Sequence, residues 1–228
     1  MQLTKLTFEN YKAFKEPQEF RIKPITFVIG KNSSGKSVVS RLPKLLAGSL
    51  APDATSPIET QYDNIHFGED FRDLIHNKLE QGKVGLGATF EDGARRIVLK
   101  AEIQQIAGTP FQVVSKFDLK SGDGFDFQLN WEIMFQLSPP PKPQIYRLKR
   151  DNTTKMEMIV DFIGILPEKI VELKSYDNII MDHFVSLKQE IRNSVRNIRY
   201  IAPIRELPKT RYKYKTDDNL YPCLCFRQ

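Results

Sequence analysis

Two cysteines, Cys223 and Cys225, are too few for a disulfide framework. None of the three histidines (His66, His76, His183) stands near them in sequence, so they read as ordinary thiols and not as a metal site. The histidines are far apart, and no Ser-His-Asp order stands out, which leaves hydrolytic triad chemistry without support. No apolar run approaches the roughly 18 residues that a membrane helix needs. The first residues, Met1 to Phe14, alternate polar and apolar side chains and lack the apolar core of a signal peptide. These absences make a cytoplasmic protein with no membrane partner the expectation. What is present, 40% hydrophobic and 27% charged residues, is enough to build a substantial core in one large domain.

The net charge is +6, and it is unevenly spread. Between Lys188 and Lys215 nine basic residues meet only Glu190 and Glu206, so this stretch carries +7 and the remainder is near neutral. Lys188, Arg192, Arg196 and Arg199 share one side of a helical pattern, beside an apolar stripe of Phe184, Leu187, Ile191, Val195 and Ile198. A basic stripe of this kind fits nucleic-acid phosphates; it equally fits a solvated helix or a packing surface. Tyr212 and Tyr214 alternate with Arg211, Lys213 and Lys215, a pattern shared by stacking platforms and by strands packed on one face.

Periodicity divides the chain. Leu3 to Glu9 and Glu19 to Ile22 read as strands, and Ile25-Thr26-Phe27-Val28-Ile29 reads as a strand buried on both faces. Lys36 to Leu46 has helical spacing, with Pro43 set to kink or shorten it. Leu50 to Pro57 reads as a loop and Phe71 to Leu79 as a short helix. Val84 to Phe90, Ile97 to Ile103, Phe111 to Leu119 and Phe125 to Leu137 form an antiparallel block, turned at Asp92-Gly93 and Gly122-Asp123-Gly124. Ser138 to Pro143 is a stiff proline connector. Pro167 to Asn197 reads as mostly helical, and Arg199 to Ile204 as a return strand.

The chemistry-bearing motif is Gly30-Lys31-Asn32-Ser33-Ser34-Gly35-Lys36-Ser37, followed by Val38. Its spacing, G-x-x-x-x-G-K-S, has a mechanical cause. A strand must turn sharply into a helix while its backbone wraps an anion, and Gly30 and Gly35 allow dihedrals that a Cβ would block. Amides from Lys31 to Ser37 then converge on a phosphate, and the helix N-terminus adds partial positive charge. Lys36, the one residue assigned a catalytic part, reaches the β- and γ-phosphates, and the Ser37 hydroxyl ligates Mg²⁺. The expected cofactors are ATP and Mg²⁺.

The opening, Leu3 to Phe14 followed by Ile25 to Ser37, resembles the N-terminal ATPase segment of the SMC/RecF/OLD superfamily. More narrowly it looks like the RecF-like AAA ATPases of bacterial anti-phage systems and OLD-type nucleases. Phe67-Gly68 … Phe71-Arg-Asp-Leu-Ile-His76, Tyr200-Ile-Ala-Pro-Ile-Arg205 and Pro208 to Tyr212 resemble further segments of that family. The resemblance implies an α/β P-loop NTPase fold, the N-terminal lobe of an ABC-type head, carrying an inserted antiparallel β block. It implies residues 1–50 as the P-loop core, 84–150 as the β block, and 151–215 as a helical segment with its return strand. It also implies that two heads sandwich ATP, so that a second copy or a partner chain completes the site, and it places Lys12 near the nucleotide.

Two family parts are not found. A Walker B strand needs an apolar run ending in Asp-Glu. Asn178 to Asp182 and Met158 to Asp161 imitate it, but each lacks the Glu. Ser121 to Gly124 imitates a signature motif inside a turn. The chain therefore reads as a fragment, a truncated product or half of a split protein. The leading expectation is an ATP-binding segment serving DNA repair or phage defence, with hydrolysis dependent on the missing motifs. Alternatives are a non-hydrolysing nucleotide-binding interaction module or inactive fragment and, against the long β block and the absence of a guanine-specificity motif, a P-loop kinase or GTPase.

Overall fold

The computed structural model describes residues 1–79, 82–131, 144–150, 154–172 and 178–201. Nine of its strands form one curled antiparallel sheet. Seven follow one another as a meander: β5 (Lys83–Asp92), β6 (Arg95–Gln105), β7 (Gln112–Ser121), β8 (Asp126–Trp131), β9 (Gln144–Arg150), β10 (Thr154–Ile163) and β11 (Leu166–Glu172). The hairpin of β1 (Gln2–Glu9) and β2 (Gln18–Arg21) joins the β5 side, giving the order β11-β10-β9-β8-β7-β6-β5-β1-β2. A small hairpin, β3 (Gln61–Tyr62) and β4 (Ile65–His66), lies apart. The described helices are α1 (Lys36–Ser49) and α2 (Asn178–Val195), with 3-10 turns at Phe71–Leu74 and His76–Lys78.

Alternation explains the sheet. Each strand puts every second side chain on one face, and the register lines these up across neighbours. Phe8, Leu86, Ala101, Phe117, Leu129 and Leu148 are successive cross-strand partners from β1 to β9, and all are buried. The opposite face is charged: Glu102 of β6 binds Lys83 at 2.7 Å and Lys116 at 3.3 Å.

Both helices cover the apolar face. Helix α1 contributes Val39, Leu42, Leu45 and Leu46 to the core; α2 contributes Phe184, Leu187, Ile191 and Val195. Phe184 meets Phe127 at 5.6 Å and Phe117 at 6.4 Å between ring centres. The β10–β11 turn closes on the end of α1, where the Ile165 amide donates to the Ser49 carbonyl at 2.8 Å. Gly164 holds φ +59° there, and a Cβ would overlap that same carbonyl.

The α/β P-loop NTPase fold, an ABC-type head lobe with an inserted β block, is not what the chain forms. The described strands pair antiparallel, and the expected insertion is part of the main sheet. The reason is connectivity. Short turns join β5 to β6, β7 to β8 and β10 to β11, which permits only antiparallel pairing there, whereas a parallel sheet needs a crossover between neighbouring strands. Residues Ile25 to Ile29, with the composition of a doubly buried strand, belong to no strand and lie exposed. The stretch with a helical pattern from Pro167 falls in β11 up to Glu172, because Ile170 and Val171 pair with Val160 and Ile159 of β10. Helix α1 passes through Pro43 without being shortened and ends at Ser49, three residues later than the sequence pattern indicates. Phe71 to Leu79 forms 3-10 turns and not an α-helix, broken by Asn77 at φ 57°.

Candidate phosphate-binding site

The loop from Gly30 to Ser37 leads into α1, and its dihedrals carry the turn. Ser33 has φ +63° and Gly35 φ +87°. At Gly35 an added Cβ would also lie 2.8 Å from the Phe14 ring. Phe14 in turn packs edge-on against Phe8 of β1 at 5.2 Å, so the sheet core backs the loop.

Gly35 caps α1 without a side-chain hydrogen bond, and no acidic residue occupies the first turn. The amides of Val38 and Val39 both use the Gly35 carbonyl at 3.0 Å. Those of Lys36 and Ser37 precede the first intrahelical bond and meet no acceptor among the described residues. The helix therefore presents free donors and an uncompensated positive end. The Lys36 ammonium donates to the Gly30 carbonyl at 2.6 Å and to the Lys31 carbonyl, which closes the loop on itself.

An open cleft of about 840 Å³ lies against this loop. Of the nine residues assigned from the sequence, Asn32, Ser33, Gly35, Lys36, Ser37 and Val38 line it, while Gly30, Lys31 and Ser34 form the loop without lining the cleft. Lys12 lines it too.

The cleft's second wall is the segment from Gly68 to Lys78, including Glu69, Asp73, Asn77 and Lys78. Family resemblance marks this segment in the sequence but gives it no part in the site. Its place depends on contacts between loops that no periodicity reveals. The Lys12 amide donates to the Leu74 carbonyl at 2.7 Å and the His76 amide to the Asn10 carbonyl at 3.1 Å. The His76 ring Nδ1 faces the Lys12 carbonyl at 3.0 Å, and the Lys12 ammonium donates to the Phe67 carbonyl. Burial lowers the Lys12 pKa; Asp73 opposes that change, and Lys78 and Arg41 add to it.

Asp73 braces this wall. Its carboxylate accepts from the Glu69 amide at 2.9 Å and pairs with Lys78 at 2.7 Å. The Lys78 bond and then the Glu69 amide pull its pKa down to about 2. With these partners it works as a structural clasp. The cleft thus holds three lysines (Lys12, Lys36, Lys78) against Glu69 and a committed Asp73.

No protein-family model matches this chain, and no curated protein matches it. The functional reading therefore stands on the loop, its cleft and their charges.

Elsewhere, the basic stripe is partly used internally. Lys188 and Arg192 bind Glu168 of β11 at 2.9 and 3.3 Å, and Arg192 also reaches the Leu50 carbonyl at 3.3 Å. Burial raises the Glu168 pKa, but the two cations outweigh it and hold the carboxyl below its usual range. Arg196 and Arg199 remain exposed. Residues 202–215 of the basic stretch, Tyr212, Tyr214, both cysteines, the proline connector and the second half of the expected return strand lie outside the described residues, and Arg199 to Ile201 belong to no strand. Asn178 to Asp182 falls in α2 and Met158 to Asp161 in β10. Ser121 to Gly124 makes the β7–β8 turn, with the Gly124 amide on the Ser121 carbonyl at 3.1 Å. No helix among the described residues is long and apolar enough to cross a membrane.

Proposed function

We propose that this chain binds the triphosphate tail of ATP at Gly30 to Ser37. It would act as the nucleotide-binding segment of a RecF/OLD-like ATPase in DNA repair or phage defence. One observation carries the reading: the uncapped N-terminus of α1, its free amides and Lys36 face a cleft that also holds Lys12. Free amides at a helix start and a nearby ammonium form an anion site. The proposal rests on this loop and not on an α/β architecture.

In this reading the loop amides take phosphate oxygens, and Lys36 leaves the Gly30 and Lys31 carbonyls to meet them. Mg²⁺ would be held by the Ser37 hydroxyl and the phosphates, since no three-ligand protein cluster is present among the described residues. Lys12 and Lys78 would add charge at the far side of the cleft. The Asp73 carboxylate is committed to Lys78 and to the Glu69 amide, which leaves it poorly placed to orient water. That favours binding without turnover by this chain alone, and a second copy or partner chain would supply the hydrolytic groups. The same observation supports the second reading, a non-hydrolysing interaction module that nucleotide stabilises.

Calorimetric titration with Mg·ATP tests the first claim. Lys36→Ala removes a charged hydrogen-bond donor, a loss of about 2 kcal/mol, and weakens binding roughly thirtyfold. Equal affinity in wild type and variant, or no binding in either, ends the reading. Steady phosphate release that disappears in Lys36→Ala would refute the non-hydrolysing part.

A further inference from the structure

Beside the phosphate loop lies the least buried apolar segment of the described chain. Ile25, Phe27 and Ile29 are 74%, 82% and 93% exposed, and Val28 is 38% exposed. Thr26 separates Ile25 from Phe27, so the run has the β-branched and aromatic composition of a strand. Among the described residues the backbone from Phe27 to Ile29 has no hydrogen-bond partner. Such groups are normally paired inside a sheet.

The segment is nevertheless held at both ends. The Thr26 hydroxyl accepts the Lys23 amide at 3.0 Å and faces the Lys23 carbonyl at 3.3 Å, which bends the chain away after Ile22 closes the last bond to β1. At the other end Lys36 fixes the Gly30 and Lys31 carbonyls. Fixed ends lower the entropic cost of pairing with an incoming strand.

Charge selects the occupant. Lys23 and Lys31, both exposed, flank the run symmetrically about Phe27. In an antiparallel pair of two copies centred on Phe27, Lys23 of each would stand opposite Lys31 of the other, and like charges directly opposed are unfavourable. Flanking lysines are also a common guard against self-pairing of exposed strand edges. We infer that Ile25 to Ile29 docks an extended apolar strand of a different polypeptide, one that carries carboxylates at its ends.

The test uses the full chain and two synthetic peptides with one Val/Ile/Thr core, one ending in glutamates and one in lysines. Fluorescence anisotropy should show the glutamate peptide binding about tenfold tighter at low salt, with the gap narrowing as salt rises. Amides 27–29 should gain hydrogen-exchange protection on binding. Phe27→Ser, at an exposed site, should abolish binding with an unchanged melting temperature, and Lys23→Glu should shrink the preference. Equal binding of both peptides, or of neither, overturns the inference. So does concentration-dependent dimerisation abolished by Phe27→Ser, which would make the occupant a second copy. Protection of amides 27–29 without any peptide would show that the chain covers its own segment, and would overturn it too.

Discussion

At Gly35 the backbone, and not the side-chain chemistry, is what the residue supplies. Its φ of +87° is costly for any residue with a Cβ, and the Phe14 ring occupies the place a methyl would take. Gly35→Ala should cost about 1–3 kcal/mol of local strain. Because residues 30–34 are exposed and lie outside the core, that cost should appear chiefly as weaker Mg·ATP binding in calorimetry, with little change in melting temperature. Asp73 offers a second check at this scale, through pH. Its carboxyl titrates at about 2 in the folded chain, below the ordinary carboxylate value. A depressed carboxylate stabilises the fold at pH values above its unfolded pKa of about 4, and loses that contribution as pH falls toward 2. The melting temperature of wild type should therefore drop more between pH 4 and pH 2 than that of Asp73→Asn. Parallel pH profiles would show that the clasp with Lys78 and the Glu69 amide does not form. The motif glycine and Lys36 are legible from spacing alone. Asp73 is not, because its part depends on the folding of one loop against another.

At the level of elements, α2 shows how a surface pattern can mislead. Its basic stripe reads as a phosphate-facing surface, but Lys188 is only 8% exposed and, like Arg192, is turned onto Glu168 of β11. The strand that carries Glu168 itself has a helical pattern in sequence. A carboxylate distant in sequence is invisible to helical periodicity, so the internal use of the two cations could not be anticipated. Glu168→Gln would leave Lys188 largely buried without its counter-charge. Breaking a buried pair from one side costs about 3–5 kcal/mol, and the 39% exposure of Glu168 scales this to about 1–2 kcal/mol. Urea denaturation should show a lower midpoint with an unchanged slope. An unchanged midpoint would return Lys188 and Arg192 to the pool of surface charge available to a polyanion. The Ile25 to Ile29 run fails for the opposite reason. Its composition is strand-like, but a strand exists only with a neighbour, and within the described chain it has none.

On the scale of the whole molecule, the core is a single cluster between the curled sheet and the two helices. Phe117 lies at its centre, with ring neighbours Phe162, Phe127 and Phe184 at 5.9, 6.3 and 6.4 Å. Phe117→Ala should cost about 3–5 kcal/mol. In a chain of this size that lowers the melting temperature by roughly 10 °C, measurable by calorimetry. A shift under roughly 2 °C would mean that the sheet and α2 are not one packed unit. By itself the sequence determined the features that local periodicity and spacing dictate: strands β1 and β2, the four strands from β5 to β8 with the turns at Asp92-Gly93 and Gly122 to Gly124, and the start of α1 after the glycine-bounded loop. Alternation and glycine placement are properties of adjacent residues, so they survive without knowledge of the fold. Only the tertiary structure decided that the strands join one antiparallel sheet, that residues 68–78 wall the cleft, and that Glu168 takes two of the basic side chains. Each of these is a contact between distant segments, and its free energy exists only once the chain has brought them together.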